Sequence, residues 1–391
     1  MRILCYFLFL LLPCSFFSCQ SDETANDDAD IATVLPPEED DFDAAINKWG
    51  YLDKKGKLVI PARFDDVRDF REGVAAVRMK GKWGLIDKAG NYILEPTYKG
   101  VFSAHDGLIR YLTYEEQMGF LDKNGQVVIE AQYADVQDFS DGLARIKTEE
   151  GFGFINSQGD TVLTPQFLQA SSFENGLAKA KKRKNWGLID QDGEFILIGE
   201  FQKIELPSDG LVRVKIDGKY GYLSLSGEVV IAPQFKAATD FENGVAAVKK
   251  DGKYGLIDQK GQPITDLKYD KIWYANEDRW AMKTGKLYGI LDNAGNVLAE
   301  PQFAQLYKFE GGVASYEGEK RLWGLVGLDG KLVTPAQFGL LWGMKEDMAR
   351  AAFYEGLGYV DQTGDLVLPP QVGMLDVRDF SEGLARVQMA K

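Results

Sequence analysis

Chemistry in this chain would have to come from carboxylates and aromatic rings, because little else is offered. His105 is the only histidine, and a Ser-His-Asp arrangement would have to be built on it. No G-x-S-x-G elbow, H-x-x-x-H pair, phosphate loop or dinucleotide fingerprint occurs. Acids are plentiful, so paired carboxylates of the glycoside-hydrolase kind are the one catalytic arrangement left open. Asp53, Asp87, Asp122, Asp190, Asp258, Asp292 and Asp361 recur at one place, which invites a metal reading. Each opens an Asp-x-x-Gly stretch, however, and Asn156 and Ser224 stand in for it in two copies. A side chain that caps its own turn explains all three residue types. We therefore expect no metal ligands, no cofactor and no catalytic residues.

Binding is better supplied. Trp273, Tyr274 and Trp280 surround Glu277-Asp278-Arg279, and Trp342 precedes Glu346-Asp347. Aromatic rings beside acids and arginine suit a sugar or peptide. The competing reading is that these rings fill gaps that phenylalanine fills elsewhere. Lys181 to Lys184 falls on a turn between strands and reads as a solvated tip.

The elements that carry these residues repeat ten times. Trp49-Gly50, Trp83-Gly84, Met118-Gly119, Phe152-Gly153, Trp186-Gly187, Tyr220-Gly221, Tyr254-Gly255, Tyr288-Gly289, Trp323-Gly324 and Leu357-Gly358 follow one another at steps of 34 or 35 residues. Such a period means a stack of small units, each leaning on its neighbours. Within residues 74–98 three short runs are divided by glycine turns, which reads as a three-stranded antiparallel meander. Proline, as at Pro61, Pro96 and Pro165, is expected to end the third strand. A loop then leads to a phenylalanine such as Phe70, Phe139 or Phe380, placed as a peg between units. The glycine common to all ten copies marks a close approach, for which the adjacent unit is the natural source. The fold class is all-β.

The pattern W-G-[LYF]-[IL]-D-x-x-G followed by P-x-F and F-x-[ED]-G-[LV]-A resembles the WG-repeat (KWG-repeat) family over residues 49 to 391. The resemblance fixes the module and leaves the ligand open. Three-stranded units of this kind suit an open, curved β-solenoid, which we expect. A closed, propeller-like ring is the alternative: residue 49 opens a unit at its middle strand and 384–391 is a leading strand with no meander after it, so the two ends could pair. Propellers, however, typically hold four to eight blades of four strands.

The ends have a different character. Arg2 and the apolar run Ile3 to Phe17 read as a signal peptide over residues 1–19. Ser18-Cys19 at its end is similar to a bacterial lipoprotein signal, cleaved before a lipid-bearing Cys19. The acids that follow resemble the export tags of Bacteroidetes-type surface lipoproteins. Residues 20–47 carry ten acids and no Lys or Arg, and read as a flexible tether ahead of ten repeats over 48–391. Of the chain's net charge of −14, the repeat body keeps about −5, which argues against a nucleic-acid partner. The three cysteines all precede the tether, so no disulfide framework is possible in the repeats. The expectation is a monomeric, lipid-anchored protein of the cell envelope, on the outer membrane and exposed at the cell surface. It would bind or scaffold a protein or glycan; an envelope glycan hydrolase is the alternative.

Overall fold

The computed structural model describes residues 47–390. The expected signal peptide, Cys19 and all but the last residue of the tether lie outside the described residues. The described body is all-β, apart from one short 3-10 turn at Glu319–Arg321, and forms ten small antiparallel sheets. Blade 1 shows the plan. Asp66–Val67, Val74–Met79, Lys82–Asp87 and Tyr92–Tyr98 pair in that order, each strand antiparallel to the next. Blades 2 to 9 repeat it over 100–133, 136–167, 169–199, 203–235, 237–269, 271–303, 305–338 and 340–368.

The expected three strands become four in seven of the ten sheets; blades 3, 6 and 8 keep three, with isolated bridges such as Val136↔Ile146 and Tyr254↔Tyr269 where a fourth would pair. The added first strand of a blade lies in what reads as a loop and is often only two residues long, as at Asp66–Val67 or Ala237–Ala238. Two residues cannot display an alternation, so the sequence gives no sign of it. Proline also sits elsewhere than expected: Pro61, Pro96, Pro165, Pro233 and Pro301 lie inside the fourth strand. They fall where the pairing slips, as between Leu85↔Leu94 and Trp83↔Tyr98, so the missing N–H breaks no regular ladder.

Blade 10 closes the body. Its first two strands, Met374–Ser381 and Leu384–Met389, come from the end of the chain; the other two, Lys48–Asp53 and Leu58–Phe64, come from residues before blade 1. Lys48–Asp53 pairs along its whole length with Leu384–Met389, from Lys48↔Met389 to Asp53↔Leu384. The open solenoid expected from the sequence is therefore corrected to the alternative, a closed ten-bladed, propeller-like ring. The cause is the offset of the chain ends, which leaves two half-blades that complete each other's hydrogen bonds.

Packing between blades repeats with the sequence. The phenylalanine pegs are buried and meet an aromatic ring of the preceding blade edge to face: Tyr51–Phe70 at 4.8 Å, Phe120–Phe139 at 4.7 Å, Phe154–Phe173 at 4.8 Å and Tyr222–Phe241 at 4.7 Å. In the same joints the hydroxyls of Tyr51 and Tyr222 donate to the carbonyls of Arg68 and Thr239, each at 2.7 Å. The invariant glycine has a different neighbour from the one expected. A Cβ on Gly221 would stand 2.6 Å from the Ile231 carbonyl oxygen and the Pro233 nitrogen, both in the fourth strand of its own blade. That strand crosses over the third one at this point, so the space is taken from within the unit.

Candidate binding surface

The turn between first and second strands is the first device that positions side chains here. Glu72 and Gly73 both have positive φ, with Arg71 and Val74 exchanging backbone hydrogen bonds around them. This is a two-residue hairpin turn that needs left-handed backbone at both central residues, hence acid-glycine or Asn-glycine. The acid then reaches along the ring. Glu72 accepts from the Gly107 N–H at 2.9 Å, Asp106 from Gly142 at 3.0 Å, Asp141 from Gly176 at 2.7 Å and Asp209 from Gly244 at 2.6 Å. Glu277 serves Gly312 and Glu346 serves Gly383, so the two turns that lack the usual glycine still hold the next blade. Their backbone makes up the difference: Asp347 takes glycine's place at φ +68°, and Asn276, Glu277 and Asp278 form a longer turn.

An arginine on the second strand makes the next contact. Arg213 donates to both Asp240 carboxylate oxygens, at 2.9 and 3.1 Å, and to the Ala238 carbonyl at 2.7 Å. Arg350 treats Asp379 and Val377 in the same way. His105 falls into this pattern: it stands 3.7 Å from Asp138, which lies 3.2 Å from Arg110. It belongs to a joint between blades 2 and 3. The recurrent aspartates act on their own turns. The Asp87 carboxylate accepts from the backbone N–H groups of Ala89 and Asn91 at 2.9 and 2.8 Å. Its slight burial would raise its pKa, but the hydrogen bonds from Asn91, Ala89 and Gly90 hold it below the usual carboxylate range.

These joints set a row of side chains two residues before each peg. Trp273 and Trp342 occupy the same place in blades 7 and 9, with Tyr307 between them in blade 8. The row continues with Arg378, Arg68 and Phe102 in blades 10, 1 and 2, and turns to Gln137, Ser171, Glu205 and Thr239 in blades 3 to 6. Trp273, Tyr307 and Trp342 are half-buried. The Tyr307 ring stacks on Trp323 at 5.1 Å, and Arg350 lies 4.6 Å from the Trp342 ring. Arg68 lies between Trp83 and Phe102, at 5.0 and 5.2 Å from their centroids. Six consecutive blades thus present rings and guanidinium groups, and the other four present short polar or acidic side chains.

The expected site residues divide accordingly. Trp273 and Trp342 share the row. Tyr274 is half-buried beside it and packs on Trp280 at 5.1 Å, its hydroxyl accepting from the Asp278 N–H at 3.3 Å. Trp280 is 0% exposed, with its indole N–H on Asn293 at 2.8 Å. It is a core residue, and its place among ligand-binding candidates is corrected. Tyr307, Arg378, Arg68 and Phe102 escaped the sequence reading. The signal that finds them is the column two residues before the peg, read down the ten copies.

A model of the WG-containing repeat matches ten successive segments, from 49–83 and 83–113 through to 323–353 and 358–391. The chain belongs to the family of WG-containing repeat proteins. Among solved structures, a WG-repeat ring of this kind is similar to a eukaryotic initiation factor, with a TM-score of 0.50 at 14% identity over 76% of this chain and 95% of that one. That likeness concerns the fold alone. BamB from Moraxella catarrhalis matches with a TM-score of 0.36 at 10% identity, over 74% of this chain and 96% of that one. No curated protein matches the WG-repeat chain significantly.

Proposed function

We propose that the protein is a non-catalytic binding or scaffolding module whose ligand, a protein or glycan, is held by the aromatic and guanidinium row of blades 7 to 10, 1 and 2. The observation that carries the reading is the placement of Trp273, Tyr307 and Trp342 at one position of three successive blades, half-buried, with Arg378 and Arg68 continuing the row. Aromatic rings and arginines supply most of the binding energy where proteins meet partners. The ring form suits such a role, because the joints described above fix each blade against the next. Lipid on Cys19, with the body at the outer membrane facing outward, completes the proposal; it rests on Arg2, the apolar run and the small residue before Cys19.

The binding test is an array of envelope polysaccharides and envelope proteins probed with wild-type protein and with Trp342→Ala. Loss of a signal in the mutant, without loss of folding, supports the row; signals unchanged by Trp342→Ala and Tyr307→Ala together would remove it. Cys19→Ala should move the protein from the membrane to the soluble fraction. A mutant that stays with the membrane ends the anchor proposal.

A further inference from the structure

The turns between second and third strands carry a separate feature. Lys147, Lys181, Lys215, Lys249 and Lys283 follow one another at steps of 34 residues, in blades 3 to 7. Each is paired across the strands with its blade's anchor aromatic: Lys147↔Phe152, Lys181↔Trp186, Lys215↔Tyr220, Lys249↔Tyr254 and Lys283↔Tyr288. The ammonium groups lie 5.5, 5.6, 5.2, 5.3 and 5.0 Å from those ring centroids. A cation over a ring is attracted to it, so the five charges share one placement on successive blades and form a ladder. The rings themselves are half-buried, whereas the anchors Trp83, Met118 and Trp323 of blades 1, 2 and 8 are buried.

Blades 4 to 7 add charge around this ladder. Residues 181–184, 215–219, 249–253 and 283–286 hold eleven Lys or Arg and two Asp, in a body whose net charge is negative. Four of the tip lysines have side-chain partners: Lys184 pairs with Glu200 and Lys253 with Asp270 at 2.5 Å, while Lys182 and Lys250 donate to Gln166 and Gln234 at 3.1 and 3.2 Å. The flanking turns lose the positive excess: Glu149 and Glu150 border the arc in blade 3, and in blade 8 Glu317 takes the ladder position and, with Glu319, balances Lys320 and Arg321. The arc therefore has a length of four to five blades and two defined ends.

We propose that this arc binds an acidic polysaccharide laid from blade to blade across the turns. Sheets packed face to face stand about 10 Å apart, so the ladder offers one cation at roughly each such step. Two linked pyranoses in an extended chain cover a similar distance, which matches a polymer with one carboxylate or sulfate per disaccharide. Single-stranded nucleic acid places its phosphates more densely than that. The tip residues 181–184, 217–219 and 251–253 carry no apolar side chain, so apolar contact on this surface is confined to the half-buried rings beside the lysines. Beside each lysine stands a half-buried ring, which adds apolar surface next to the charge.

The test uses full-length protein and hyaluronan oligosaccharides, which carry one carboxylate per disaccharide, with chitin oligosaccharides as the neutral control. Binding to hyaluronan should be seen, should rise with length up to about five disaccharides, and should fall steeply with salt. Lys215→Gln with Lys249→Gln should weaken it about tenfold, as expected for losing two exposed charge contacts. Trp273→Ala, on the other row, should leave it unchanged, which separates this surface from the proposed function above. Retained folding of the double variant is checked by its melting temperature. If it unfolds, the charge-keeping pair Lys215→Arg and Lys249→Arg replaces it and must restore binding. No binding to hyaluronan, equal binding to chitin oligosaccharides, or equal or tighter binding to polyglutamate or single-stranded DNA would each overturn the assignment.

Discussion

Arg386, in the last strand of the chain, holds Asp69, which lies just past the first strand of blade 1. Its Nε and Nη2 donate to the two carboxylate oxygens at 2.6 and 3.2 Å, and its Nη1 donates to the Val67 carbonyl at 3.2 Å. This is the joint that Arg213 makes with Asp240 and Ala238 between blades 5 and 6. Glu382 likewise accepts from the Gly73 N–H at 3.0 Å, as Glu72 does from Gly107. The seam between the chain ends is thus built like the interior joints.

Arg386→Ala should therefore loosen the ring. Both partners are substantially exposed, at 25% and 47% of their side chains, so solvent screening limits the loss to about 1 kcal/mol. Arg213→Ala should cost more, since Arg213 and Asp240 are less exposed, at 13% and 36%. Chemical denaturation of both mutants checks the order. An Arg386→Ala protein as stable as the parent would mean that the closing joint contributes nothing.

Gly221→Ala tests the crossing of the fourth strand over the third. The new methyl would meet backbone atoms at 2.6 Å, which cannot move without breaking the blade, so a loss of about 1–3 kcal/mol is expected. Unchanged stability would show that the crossing strand is free to shift.

The acid response of blades 4 and 5 follows from Glu205. Its burial would raise its pKa, but the hydrogen bond and charge of Lys179, together with Arg213 and Lys203, hold it below the usual glutamate value. With the folded value below the unfolded one of about 4.3, its stabilisation is complete above that pH and is lost as pH falls through the folded value. Glu205→Gln should lower the melting temperature at neutral pH and flatten its decline between about pH 5 and 3. Equal acid slopes for mutant and parent would contradict this.

Trp342→Ala and Trp280→Ala separate row from core. Removing the buried Trp280 should cost about 3–5 kcal/mol of stability. Removing Trp342 should leave the melting temperature nearly unchanged while weakening ligand binding by about 2 kcal/mol. The reverse pattern, measured by thermal melts and ligand titration, would return Trp342 to the role of a gap-filler.

What the sequence revealed depended on repetition. The anchor glycine recurs in all ten copies, and the large residue before it, the turn aspartates and the Phe70-type pegs recur in most, so the copies expose them without any other chain. The first strand was hidden in the blades where, as at Asp66–Val67, it is only two residues long and too short for a pattern. Ring closure was half legible: the ends carry complementary fragments of a unit, but the pairing of Lys48–Asp53 with Leu384–Met389 exists only in space. Of the site, Trp273 and Trp342 stood out as rings near an irregular turn. Tyr307 did not, because blade 8 keeps its glycine. Trp280 misled for a related reason: proximity in sequence says nothing of the face on which a strand residue falls, and successive residues alternate.

Closure itself is tested most directly by hydrogen–deuterium exchange of the backbone amides in Lys48–Asp53 and Leu384–Met389. A closed ring predicts slow exchange in both, comparable to the matching strands Lys219–Ser224 and Leu211–Ile216 of blade 5. Exchange of both terminal strands as fast as an unpaired edge, while blade 5 stays protected, would show that the ends do not meet and that the stack is open.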